Sequence, residues 1–472
     1  MNVHSIKVHQ KMTTISPPSY GNILRFAIPL ILGLITTALN TLIDTFFIGQ
    51  LGTAQLAAVP LAASVYFIGL VLLAGVLHNS IAFIARAFGA KEYHNIGVIL
   101  AHYQWLALLG LPLLGLFIQS WPLFSAIARL DAVVDGYAWI YLKIRMWDVV
   151  FSLLLMVYSS FYQSLGNSRL PMLVAIGILF MNVVLDYGLI FGKLGMPALG
   201  VAGSALATVL AQALGALTII IISFVSTTRT DFKLRIFTPL DIGLLKNILR
   251  IGLPKGIGDC IEVLTWVGLF LIVGRLGEVA LAANNIGIQV IHLLFLPGAA
   301  VGTVAASYMA RFLGAGRLDL ARVAIARTLK MGLTYMGILG IPFWFFGESI
   351  AGWFSADEAV IYQAGLVFKV MALFQIFDGM GMILRSALGG AGDTLVPTLL
   401  LLGCAVGVMF PAAALLSRLV EPGLVGAWLG AFAYMVTLAA MMIYRYRSDK
   451  WIVIFSKRET DTIPSSGIAS VK

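Results

Sequence analysis

Residues 24 to 90 of this chain reappear 225 positions later without a gap. Of the 67 aligned pairs 18 are identical, where a composition of this kind gives roughly five by chance. Leu24, Arg25, Pro29, Gly33, Gly49, Leu51, Gly52, Ala57, Ala58, Arg86, Gly89 and Ala90 fall on Leu249, Arg250, Pro254, Gly258, Gly274, Leu276, Gly277, Ala282, Ala283, Arg311, Gly314 and Ala315. The echo runs deeper, since Gly166, Asn167 and Pro171 match Gly392, Asp393 and Pro397 at an offset of 226. Tandem membrane halves of this kind enclose a central cavity, the arrangement used for alternating access.

The repeated module belongs to a bilayer. Of 472 residues 60% are hydrophobic and 11% charged, against about 25% charged in soluble domains. A helical span needs about 20 apolar residues. Stretches of that kind lie near 26 to 48, 57 to 85, 97 to 119, 136 to 160, 172 to 192 and 200 to 225. A second set lies near 250 to 272, 281 to 310, 329 to 350, 360 to 387, 396 to 417 and 423 to 445. The expected fold is all-α, with 12 transmembrane helices in two pseudo-symmetric six-helix bundles. Residues 1 to 20 form an N-terminal tail, 21 to 225 the N-lobe, 226 to 247 a basic interfacial linker, 248 to 446 the C-lobe and 447 to 472 a C-terminal tail.

The net charge of +10 reads as topology rather than as a nucleic-acid footprint. The two tails and every second loop carry 23 Lys and Arg, whereas the intervening loops carry four, Arg129, Lys193, Arg275 and Arg418. Basic loops stay on the cytoplasmic side. Both termini are therefore expected in the cytoplasm, beneath a plasma (inner) membrane. Arg385, close to the end of the tenth span at 387, is tallied with the loop that follows it.

Several other chemistries lack their residues. Cys260 and Cys404 are the only cysteines, both in apolar spans, too few for a disulfide framework or a thiolate metal site. The polar first 20 residues lead into a full-length span, so no cleavable leader is expected. There is no GxxxxGK[ST] loop, HExxH helix, metal triad or paired nucleophile and base, which argues against ATP as the direct driver, against an enzyme and against a cofactor. Pro29, Pro60, Pro171, Pro254 and Pro397 read as lying at span starts, while Pro112, Pro297, Pro342 and Pro411 lie inside spans and are expected to kink them.

Each carboxylate at bilayer depth costs about 2.5 to 3.5 kcal/mol and needs a reason. Asp44, Asp186, Glu262 and Asp378 are the deepest. Asp44 follows Pro29 by 15 residues and Asp186 follows Pro171 by 15, which places both at one level, roughly 22 Å from the cytoplasmic face. Asn182 shares a helix face with Asp186, and Asn40 and Thr37 share one with Asp44. In the next span Gly200, Ser204 and Thr208 recur every four residues. Such oxygens suit either a dehydrating Na⁺ or a carried proton. Glu262 lies eight residues past Pro254, roughly 12 Å deep, with Asp259 a turn earlier. Asp378 follows Gln375 and Phe374. The repeat partners of Glu262 and Asp44 are Thr37 and Leu269, so the halves keep glycines while their acids diverge. Arg145 and Asp148 read as a salt pair near the outer interface, Lys255 and Lys369 as snorkelling, and His78, His102 and His292 as satisfied buried groups.

These residues resemble a known family. TLIDTFFIGQLG around Asp44, GLPKGIGDCIEV around Glu262, FQIFDGMGMILRSALGGAGDT around Asp378 and Asp393, and LGVAGSALAT from Leu199 are similar, in this order, to the multidrug and toxic compound extrusion (MATE) transporters, over nearly all of residues 20 to 446. The resemblance implies two bundles forming a V and export of organic cations or amphipathic toxic compounds in exchange for Na⁺ or H⁺. It also implies a DinF-type N-lobe cation site at Asp44, Asn182 and Asp186, with Ser204 and Thr208 beside it. Glu262 and Asp378 match the C-lobe acidic pair of the NorM-type branch, and Phe374 stands where that branch often has tyrosine. A substrate cavity is expected at Thr37, Asn40, Asn285, Gln289, Phe374 and Gln375. Three oxygen-bearing side chains converge in the N-lobe, which makes it the preferred coupling site. The implied partners are a small-molecule substrate and membrane lipid, with no nucleic acid, and the chain is taken as a monomer. A lipid-linked saccharide flippase or an organic-anion exporter of the same superfamily is the alternative; a flippase needs several inward basic groups to hold a pyrophosphate.

Overall fold

The computed structural model describes residues 16 to 226, 228 to 236 and 238 to 453. The assignments of residues 1 to 15 and 454 to 472 to cytoplasmic tails lie outside the described residues. The chain packs as two units, one of Met1–Leu240 with Arg311–Ala321, the other of Asp241–Ala310 with Arg322–Lys472.

In chain order the first unit holds α1 (Tyr20–Gly49), α2 (Thr53–His78), α3 (Ser80–Gly89), α4 (Tyr93–Ile118), α5 (Trp121–Ala128), α6 (Ala132–Arg145), α7 (Asp148–Ser164), α8 (Arg169–Phe191), α9 (Val201–Val225) and α10 (Thr228–Asp231). There follow α11 (Ile242–Val273), α12 (Glu278–Gly314), α13 (Leu318–Ala351), α14 (Glu358–Gly390), α15 (Leu395–Cys404), α16 (Phe410–Leu419) and α17 (Gly423–Arg447). No strand occurs among the described residues. Large apolar side chains lie outside as well as in: Phe46, Phe180 and Leu271 are 65%, 70% and 64% exposed. That is the surface of a protein whose solvent is lipid, where helices satisfy their own backbone.

Among the described residues eleven helical stretches are long and apolar enough to cross a membrane. The twelfth span, fourth in order, is broken into α6 and α7, each too short alone. At the break the Trp147 amide reaches back three residues to the Ile144 carbonyl (3.2 Å) instead of four. The turn tightens and the ladder restarts, with Arg145 and Asp148 on either side.

The helices outrun the expected spans, which changes the reading of three prolines. Because α1 starts at Tyr20, α2 at Thr53 and α11 at Ile242, Pro29, Pro60 and Pro254 sit inside helices rather than in a first turn. Pro171 and Pro397 do lie in first turns. Four residues past Pro342, Phe346 leaves helical geometry (φ −118°, ψ 18°). Pro411 follows a π-helical turn, Ala405–Met409, between α15 and α16; widening the ladder there makes room for the ring. Residues 242 to 247, read as linker, are the opening turns of α11, capped by the Asp241 carboxylate on the Gly243 and Leu244 amides (2.8 and 3.1 Å).

The duplication is visible in matching bonds. The Ser168 hydroxyl donates to the Phe26 carbonyl at 2.8 Å. Its repeat partner Thr394 donates to the Ile251 carbonyl, the partner of Phe26, at 2.7 Å. Gly166 and Gly392 both take left-handed backbone (φ +80° and +85°), which explains why each copy retained glycine there. Within the first unit, a Cβ on Gly89 would strike the Arg311 carbonyl, and one on Gly314 would strike the Arg86 carbonyl. The Arg311 guanidinium lies 4.5 Å over the Phe88 ring beside this crossing.

Candidate functional site

In the first unit α8 packs on both α1 and α9. Gly203 of α9 lies against the Leu189 carbonyl of α8, where any side chain would collide. This close approach carries Ser204 and Thr208 up to Asn182. The threonines of α1 turn their hydroxyls back on their own helix: Thr36, Thr37, Thr41 and Thr45 donate to carbonyls four residues earlier. They are thus satisfied without solvent. Thr37, expected in a substrate cavity, is exposed and bonded to the Gly33 carbonyl at 3.2 Å.

Asp186 and Asn182 are fully buried, and the Asp44 carboxyl adjoins that of Asp186 within hydrogen-bonding reach. Asn40 Nδ2 donates to Asp44 Oδ2 at 3.3 Å. One end of the Asn182 amide lies 2.7 Å from Asp44 Oδ1, 3.1 Å from Asp186 Oδ2 and 3.0 Å from Asn40 Oδ1. Its two orientations mean different things. With nitrogen facing the acids, Asn182 donates to both carboxylates. With oxygen facing them, its nitrogen turns to the Thr208 hydroxyl at 3.5 Å, and four oxygens converge that only a proton or a cation can hold together. Thr208 passes its own hydrogen bond to the Ser204 carbonyl at 3.0 Å. Asp186 Oδ1 and the Ser204 hydroxyl are buried without a hydrogen-bond partner. No Lys, Arg or His nitrogen lies within 4 Å of Asp44 or Asp186 among the described residues.

The nearest organised cation is Arg145, which pairs with Asp148 at 3.0 Å and whose charge is felt at both Asp44 and Asp186. Asp148, 1% exposed, also accepts from Tyr66 and Ser152, both at 2.9 Å. The Arg145 guanidinium stacks 4.7 Å over the Tyr66 ring. The expected salt pair is there, inside an aromatic enclosure that spacing along one helix does not show.

The second unit arranges its acids differently. On α11 Lys255 grips Asp259 with both carboxylate oxygens in reach (3.1 and 2.9 Å). Glu262, one turn on, accepts from Arg385 Nη2 of α14 at 2.5 Å, and Arg385 Nη1 stands 4.0 Å from Asp259 Oδ1. Arg385 is therefore no loop residue: it lies within α14, two turns past Asp378 on the same face. Asp378 makes no ion pair among the described residues and lines a small cavity with Glu262, Trp266 and Tyr434. A second small cavity is lined by Lys255, Asp259 and Thr398.

The expected substrate-facing residues divide. Asn40 and Asp44 are partly exposed. Asn285 and Gln289 lie on an exposed face of α12, four residues apart. Phe374 and Gln375, by contrast, are 0% and 2% exposed and line neither cavity. Phe374 stacks on Trp428 (6.0 Å, 10°), whose indole donates to the buried Asn284 at 3.1 Å. This face of α14 is turned into packing with α17. Of the histidines, His102 is buried against the Val98 carbonyl at 2.8 Å. Among the described residues no group of three or more His, Cys, Asp or Glu is arranged to hold a metal ion.

The MatE family model matches residues 29–188 and 254–415, one match in each half. The chain is 28% identical over 440 residues to a probable multidrug resistance protein NorM of Thermotoga maritima, covering 92% of this chain and 94% of that one. It is 29% identical over 459 residues to the multidrug resistance protein NorM of Burkholderia vietnamiensis, covering 92% and 96%. A Vibrio cholerae MATE transporter structure superposes with a TM-score of 0.82 at 19% identity, covering 92% of this chain and 98% of that one.

Proposed function

Given that the chain belongs to the MATE family of transporters, we propose that it is a secondary antiporter which exports organic cations or amphipathic toxic compounds in exchange for H⁺ or Na⁺, coupled through Asp44, Asn182 and Asp186. The observation that carries this reading is the contrast in counter-charges. The N-lobe acids face the Asn40 and Asn182 amides and, among the described residues, have no fixed cation within ion-pair distance. Two carboxyls this close repel when both are charged, so a visiting proton or metal ion is what makes their burial tolerable.

The coupling step follows from the amide. With the site unloaded, Asn182 donates to both carboxylates. When a cation arrives from outside, the carboxylates turn to it, the Asn182 oxygen joins them, and the Asn182 nitrogen moves to Thr208. That local exchange biases the bundle toward the substrate-releasing arrangement, and loss of the ion to the cytoplasm resets it. One charge crossing 100 mV supplies about 2.3 kcal/mol, comparable with the cost of a bare carboxylate at this depth. The second lobe, its glutamate held by arginine, is left to the organic cation. The Lys255–Asp259 pairing supports this over a flippase, because that lysine is already committed to a carboxylate.

Efflux of an organic cation from proteoliposomes under separately imposed Na⁺ and H⁺ gradients tests the proposal. One gradient should drive counterflow in wild type and neither should in Asp44→Asn. Undiminished transport by a folded Asp44→Asn protein would reject it.

A further inference from the structure

Both cavities of the second unit count Arg385 in their walls, and it is the only residue they share. The first holds the Lys255–Asp259 pair. The second is lined by Glu262, Asp378, Trp266 and Tyr434. The guanidinium thus stands between a vestibule and an acidic, aromatic chamber, with one nitrogen on Glu262 (2.5 Å) and the other 4.0 Å from Asp259. It is itself 20% exposed, toward that open space.

Charge counting sharpens the picture. Asp259, Glu262 and Asp378 oppose Lys255 and Arg385, which leaves one negative charge uncompensated, and Asp378 is the acid without an ion pair among the described residues. A chamber with one excess negative charge beside indole and phenol rings suits a monovalent organic cation. Its best carboxylate, however, is already taken by a guanidinium that the chain supplies. Arginine's planar fork matches a carboxylate in a way an ammonium does not.

We propose that Arg385 is a tethered competitor: it occupies the cation seat on Glu262, and organic monocations bearing a guanidinium or amidinium group enter the second cavity by displacing it toward Asp259. This deepens the transport reading by naming a substrate class for the second lobe, and it makes Arg385 a residue that sets specificity. Asp259 is the receiving group, so the displaced side chain keeps a carboxylate and the exchange leaves no bare charge.

The test is binding of radiolabelled benzylguanidinium, an analogue of the arginine head on an aromatic body, to the purified full-length protein by equilibrium dialysis. Arg385→Gln should tighten binding by about tenfold or more, since the competitor is gone. Glu262→Gln should weaken it by a similar factor, since the seat is gone and the competitor stays. Opposite signs are the signature; a merely structural ion pair would move both variants the same way, and that result, or unchanged binding in Arg385→Gln, overturns the proposal. If Arg385→Gln does not fold, Arg385→Lys keeps the charge and loses the fork, and should still tighten binding by about threefold; unchanged binding there overturns the idea equally. The gain should persist in an Asp44→Asn background. Efflux retained by Asp44→Asn would sink the coupling assignment without touching this result.

Discussion

The two lobes share a backbone plan and differ in how they neutralise buried acid. In the first, Asp44 and Asp186 meet across Asn182 with no fixed cation in contact among the described residues. In the second, Glu262 is locked to Arg385 and Asp259 to Lys255. An acid whose counter-charge is covalently part of the fold is neutralised at rest and yields only to a cation that displaces that partner. An acid pair bridged by an amide is satisfied only provisionally. The chain carries two copies of one helical frame, and in the proposed coupling the placement of a few basic side chains decides which copy exchanges ions.

Four experiments would break or sharpen this contrast. The largest effect belongs to Asp44→Asn or Asp186→Asn, each of which should reduce gradient-driven efflux to the uncoupled background, a loss of about tenfold under a tenfold ion gradient, while the thermal melt stays near that of wild type. Next comes a difference between equivalent loops. Arg445→Met strands the Asp393 carboxylate, 1% exposed and paired at 2.7 Å, and should cost about 3 to 5 kcal/mol. Asn167→Ala, the repeat counterpart, removes only hydrogen bonds to the Arg169 and Leu170 amides and should cost about 1 kcal/mol; thermal or denaturant unfolding in detergent compares them. Ser168→Ala and Thr394→Ala delete a side-chain bond that both lobes share, so each should cost about 1 kcal/mol, and unequal values would show that the copies have drifted in packing as well as charge. The smallest change is expected of Glu262→Gln, in which the ratio of efflux with and without the gradient should shift by less than about twofold, as for a site uncoupled from the N-lobe.

Much of this was legible in the residues. The spans show as apolar runs, and counting from Pro29 and Pro171 placed Asp44 and Asp186 at one depth, because α1 and α8 climb at the same rise per residue and pack side by side. Arg385 was tallied with the loop charges because it stands two residues before the expected end of its span at 387, where a basic residue reads as flanking. The sign that it belonged inside was available: seven residues past Asp378 is two helical turns, on one face. The break between α6 and α7 had no such sign. Neither glycine nor proline marks Met146 and Trp147, and the enclosure around the Arg145–Asp148 pair draws Tyr66 from 82 residues away. Phe374 is the same kind of case, since only packing against Trp428 reveals that it faces inward.

The glycine crossing bears on how such a gene can change. Gly89 meets the Arg311 carbonyl and Gly314 meets the Arg86 carbonyl, so each copy of the repeat is hemmed in by the main chain of its twin. No substitution at one position can be rescued by trimming a side chain at the other, because there is no side chain to trim. Sister sequences that press on each other in this way cannot drift separately there, whereas the carboxylates, each answering only to its own bundle, were at liberty to wander.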